Sequence, residues 1–204
     1  MAYPHPTADT LADGTIHVLG LGFAIPATIL LTTYAASQGE QLTPTLVYAA
    51  CFVLSLLASA IYHLLPFDRA LLGRIDHAAI YFKIAGTYTP FVVLIGTGFA
   101  YGILAVVWAL AIIGAVAKLS FWSTESKASL YLYLGMGWLS VLLVWPMWQS
   151  LPTTALTLIG IGGLIYTLGT IVFAHPGMRF QNAIWHSFVL AASICFFAAI
   201  SISL

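Results

Sequence analysis

Long apolar runs separated by short polar breaks make up almost the whole chain. They extend over about Ile16–Ala36, Pro44–Leu65, Ile75–Gly96, Gly98–Ser120, Ala128–Trp148, Thr153–Ala174 and Asn182–Leu204. Each is near the ~20 residues that a helix needs to cross ~30 Å of hydrocarbon. Backbone polar groups inside a bilayer must be satisfied within the segment, so runs of this length predict helices. The expected fold is an all-α membrane protein, a seven-transmembrane-helix bundle forming one domain over residues 1–204. Residues 1–14 are expected to form a short polar lead-in, and the short connections leave no room for an inserted soluble domain. Pro26, Pro90 and Pro146 fall inside runs and predict kinks. Gly98, Gly102, Gly162, Gly163 and Gly169 read as positions of close helix packing.

Composition removes the soluble alternatives. The chain is 61% hydrophobic and 6% charged, with a mean hydropathy of +1.02. Soluble domains carry about 25% charged residues. A net charge of zero gives no attraction to nucleic acid. Cys51 and Cys195 lie within apolar runs and read as small buried hydrophobes rather than a disulfide. Residues 1–14 contain no Lys or Arg, so no basic cleavable leader is expected. Arg69, Arg74, Lys118, Lys127 and Arg179 fall in or beside three connections that a seven-span bundle places on one side. The positive-inside rule then predicts a cytoplasmic N-terminus and an outside C-terminus in a multi-pass protein of the cell membrane.

The remaining base, Lys83, lies inside the third run. A lone ammonium facing lipid there would cost about 2.5–3.5 kcal/mol or more. It is expected to face a wet internal cavity, contacting tyrosine hydroxyls or a lipid head group. The plainer alternative is a lysine that snorkels or stays neutral among structural hydroxyls.

The same topology gathers polar residues at one depth. His63 ends the second run, and Asp13, His17, Asp76, His77, Asn182 and His186 start the first, third and seventh. Ser59 and His63 are four apart, as are Asp13 and His17, and Asn182 and His186. Each pair shares a helix face. Imidazoles and a carboxylate at one depth suit a zinc-like ion, with His63, His186 and Asp76 as candidate ligands and Asn182 as a weak fourth. The plain alternative is that histidines at helix ends only reach interfacial water. That reading is preferred for His5 and His175, and for His77, which points to a different face from its neighbour Asp76.

Ser59-Ala60-Ile61-Tyr62-His63, Arg74-Ile75-Asp76-His77 and Gly86-Thr87-Tyr88-Thr89-Pro90-Phe91 resemble the signature of the bacterial hemolysin III family. Met136-Gly137-Trp138 and Ile184-Trp185-His186-Ser187-Phe188-Val189 match it too. That family is grouped with the progestin and adipoQ receptors, which include the adiponectin receptors. The resemblance covers all seven runs and implies a zinc ion near the cytoplasmic side. It assigns metal binding to His63 and His186, and gives Asp76, beside Ser59, a catalytic part on the metal's water. The chain departs from the family at Asn182, where the first histidine of the last-helix pair is expected. An amide oxygen is a poor substitute for imidazole on zinc. His17 or His175 is the candidate to complete the shell, which otherwise binds metal weakly or not at all. The first run departs too, with Thr10 and Asp13 where the family has an acid and an Asn.

Two classes of function remain. One is a metal-dependent hydrolase of a membrane lipid amide or ester, by analogy with the ceramidase-like activity proposed for adiponectin receptors, with Asp76 as general base. The other is a non-enzymatic protein of membrane homeostasis, a sensor or a pore, in which the polar layer holds helices together. A retinal protein would need a lysine deep in the last run, and there is none. Membrane lipids are the expected partners.

Overall fold

The computed structural model describes residues 6–39, 41–65, 69–124, 126–175 and 177–204. The expectation for His5 lies outside the described residues. Among the described residues eight α-helices follow in order: α1 (Pro6–Gln38), α2 (Leu42–Leu64), α3 (Arg69–Ile95), α4 (Gly98–Ser120), α5 (Lys127–Trp138), α6 (Val144–Ser150), α7 (Thr153–Phe173) and α8 (Gln181–Ser201). A 3₁₀ segment, Leu139–Leu143, joins α5 to α6. With α5 and α6 taken together, seven helices among the described residues are long and apolar enough to cross a membrane. The described residues contain no strand.

The chain is apolar on its outside as well as its inside. Leu11, Leu30, Ile113, Trp145 and Leu168 are 54–73% exposed, which water would not tolerate on this scale but lipid does. Tyr48, Phe52, Tyr81, Val92, Val107 and Met136 fill the interior.

Two features correct the sequence reading. The first helix begins well before Ile16, so Asp9 and Asp13 belong to α1 rather than to a polar lead-in. The fifth span is not one helix. Pro146 has no N–H for the Leu142 carbonyl, so regular i→i−4 bonding fails just upstream. There Val144 N–H bonds to Val141 O in the tighter 3₁₀ manner. Tyr88 Oη holds carbonyls at that joint, donating to Met136 O and Gly137 O at 2.7 and 2.9 Å. The helices α1 and α3 continue through Pro26 and Pro90.

Tight connections set the antiparallel order. Gly96 takes φ +67° and Thr97 caps α4, its Oγ1 accepting from Ala100 N at 3.3 Å. At the other end of α4, Lys118 Nζ donates to Ser123 O at 2.8 Å and Arg74 to Leu119 O at 3.1 Å. α2 packs on α3, α3 on α4, and α7 on α8, while α1 bridges α2 and α8. That last contact brings the first and last helices side by side, which the site requires.

Candidate metal centre

One end of the bundle collects the polar side chains of four helices. α1 supplies Asp13 and His17 in its early turns, and α2 supplies Ser59 and His63 in its last ones. Asp76 stands in the second turn of α3 and His186 in the second turn of α8. Asp13 is fully buried, and His17, Ser59, Asp76 and His186 are each at most 9% exposed. The His63 side chain is 12% exposed.

Asp13 is the hub. Its Oδ1 accepts from His186 Nδ1 at 2.6 Å, and its main-chain carbonyl accepts from His17 Nδ1 at 2.8 Å. Its Oδ2 lies 3.6 Å from His63 Nδ1. Carboxylate and carbonyl oxygens only accept, so in His17 and His186 they place the proton on Nδ1 and leave a lone pair on Nε2. The Nε2 atoms of His17 and His186 then face the same hydroxyl, lying 3.2 and 3.3 Å from Ser59 Oγ. One hydroxyl has one proton to give. Nε2 of His63 faces Asp76 Oδ2 at 3.8 Å. The layer therefore holds more lone pairs than protons, a deficit met by a cation or by added protons.

The three rings are close neighbours. Centroids are 4.6 Å apart for His17 and His186, 4.8 Å for His63 and His186, and 5.8 Å for His17 and His63. Asp13, His17 and His186 each offer a ligand-capable atom, all within 4.8 Å of one another. Imidazole nitrogens backed by a carboxylate fit zinc in donor type and in second-shell support.

The structure brings His63, His186, Asp76 and Ser59 into one layer. Asn182 is half-buried one turn before His186, and no side-chain hydrogen bond ties it to another described residue. Of the two residues considered for completing the shell, His17 is in the cluster. His175 is exposed, its Nδ1 bonded to Ile171 O at 2.6 Å. The ring of His77 lies against Phe173, 6.0 Å between centroids. The role of Asp13 is the feature that sequence reasoning missed. Its four-residue spacing to His17 was the available signal.

Comparison with known proteins follows the same outline. The profile described as "Haemolysin-III related" matches residues 8–197. "Hemolysin-3 homolog" of Bacillus subtilis is 36% identical over 195 residues, covering 93% of this chain and 91% of that protein. "Hemolysin-3" of Bacillus cereus is 35% identical over 194 residues, with 93% and 89% covered. "Monocyte to macrophage differentiation factor" of Homo sapiens is 28% identical over 186 residues, with 87% and 76% covered. This reach into an animal protein supports the receptor superfamily relation expected from the motifs. With nearly the whole bundle inside the match, the chain belongs to the haemolysin-III related family of multi-pass membrane proteins.

Proposed function

We propose that the polar layer is a zinc-type centre serving hydrolysis of an amide or ester bond in a membrane lipid. The observation that carries this reading is the common arrangement of three imidazoles, two buried and the third nearly so. Each turns Nδ1 toward Asp13, and their Nε2 atoms meet a single hydroxyl and a carboxylate. His17, His63 and His186 would hold the ion through Nε2, with Asp13 behind them fixing ring orientation. When bound, such an ion polarises a carbonyl and makes water acidic enough to act as a nucleophile near neutral pH.

The protein's own groups do the rest. Asp76 takes a proton from the attacking water and returns it to the departing amine or alcohol. Ser59 Oγ, between the two imidazoles, donates to the oxygen of the carbonyl under attack. The layer lies inside the membrane-spanning bundle, so the substrate enters sideways between helices. The distribution of bases supports placing this end of the bundle, and the N-terminus, on the cytoplasmic side.

The test uses purified protein in lipid nanodiscs with a panel of amide and ester lipids. Hydrolysis is expected to stop on chelation, return with zinc, and fall at least about 100-fold in Asp76→Asn. Asp76→Asn should keep its metal, since the three imidazoles are intact. The name Hemolysin-3, carried by the Bacillus relatives, favours a second reading, a pore or sensor with a structural polar layer. Metal-loaded protein that hydrolyses nothing but makes vesicles leak would select it.

A further inference from the structure

Lys83 stands apart from the metal centre, near the midpoint of α3. It is 9% exposed, and its Nζ is buried with no hydrogen-bond partner among the described residues. The expected contacts with tyrosine hydroxyls are not made there. Nζ lies instead 5.3 Å from the ring centroid of Phe52 on α2 and 5.6 Å from that of Tyr166 on α7. Tyr48, stacked on Phe52 at 5.7 Å, is 2% exposed and also buries its hydroxyl without a hydrogen-bond partner among the described residues. The Tyr166 hydroxyl is engaged with Ser193 Oγ at 3.2 Å, and Ser193 donates to Val189 O at 2.6 Å.

Lys83 and Tyr48 thus present unused donors beside one ring, Phe52. Ring faces attract an ammonium but do not accept its hydrogens as an oxygen does. What this part of the bundle lacks is an acceptor, and preferably a negative one. A buried charge deep in a membrane protein is retained with a partner or a function.

We propose that Lys83, with Tyr48, receives the carboxylate of a long-chain amphiphile. One carboxylate matches one ammonium in charge and offers several acceptor positions. A phosphate monoester brings about −1.5 to −2 and leaves surplus charge in the membrane interior. A neutral carbonyl leaves the ammonium uncompensated. Chloride brings the charge but no body for the apolar walls around it. An acyl chain bearing a carboxylate satisfies both demands, its head on Lys83 and its tail along the helices. Asp76 lies two turns away, ~10 Å along α3, too far to accept a hydrogen bond from Lys83.

The test measures tritiated palmitate retained by the full-length protein in nanodiscs, corrected with empty discs. Unlabelled palmitate should displace the label from the parent, and palmitamide, of equal length but neutral, should not. Lys83→Met should weaken retention at least about tenfold and Tyr48→Phe by a smaller factor. Lys83→Arg should keep most of it. Equal competition by palmitamide overturns the proposal, as does loss of the label to chloride alone. Parent-like retention in Lys83→Met does so too. Should Lys83→Met not fold, the palmitamide comparison on the parent decides alone.

Discussion

Asp13 shows how a single residue sets the chemistry of its neighbours. Its carboxylate and carbonyl together face the Nδ1 atoms of three imidazoles. Asp13→Asn should disturb this, because the amide can turn a donor toward His186 or His63. Zinc affinity is expected to drop about 10–100-fold, as for other lost second-shell partners, and competition with a chromophoric chelator would measure it. Unchanged affinity would remove Asp13 from the centre. The shared depth of Ser59, His63, Asp76 and His186 was legible because turn spacing and the order of the runs fix it. The hub was not, because two acids depress the hydropathy of a helix start even when packing buries them. Asp9 and Asp13 are 3% and 0% exposed. The choice between His17 and His175 was closed to sequence as well, since it depends on α1 lying against α8.

Glycine positions carry the equivalent lesson for helices. Gly162 and Gly169 do pack closely on α8, as expected: an added Cβ would meet Phe196 at 3.0 Å and Phe188 Cβ at 2.8 Å. Gly98, Gly102 and Gly163 would meet nothing within 4 Å, which corrects the packing role expected of them. The tightest contacts are elsewhere, with Gly86 against Cys51 and Gly114 against Tyr81, both at 2.6 Å. A run of apolar residues does not reveal which face meets a neighbour, so adjacent Gly162 and Gly163 looked alike. Gly86→Ala and Gly114→Ala should each destabilise by about 1–3 kcal/mol through overpacking, whereas Gly163→Ala should stay within about 0.5 kcal/mol. Thermal unfolding in one detergent would rank them. Equal melting temperatures for Gly114→Ala and Gly163→Ala would contradict these contacts.

The whole molecule is a bundle whose polar layer, and whose connections rich in bases, fall at the same end. Two of those bases also cap α4, Lys118 through Ser123 O and Arg74 through Leu119 O. They therefore serve the fold as well as the orientation. The charge asymmetry predicts an outside C-terminus. A C-terminal alkaline phosphatase fusion should be active, and a green fluorescent protein fusion dark. The opposite pair of signals would invert the bundle and move the layer to the other face of the membrane. Seven spans were legible because length and hydropathy alone determine them. The broken fifth span was not, because a proline tells where hydrogen bonding fails but not whether a kink or a 3₁₀ turn absorbs the loss.

The proposed centre requires three imidazoles to share one ion. Zinc per mole of protein, measured after dialysis against a mild chelator, tests it most directly. The comparison covers the parent, His17→Ala, His63→Ala, His186→Ala and Asn182→His. The parent should retain about one zinc, and each alanine variant should lose most of it. Asn182→His should retain at least as much as the parent, with a higher melting temperature in zinc, since binding only the folded state stabilises it. Equal metal in the parent and all three alanine variants, or none in the parent, would contradict the shared centre and leave the layer a network held together by protons.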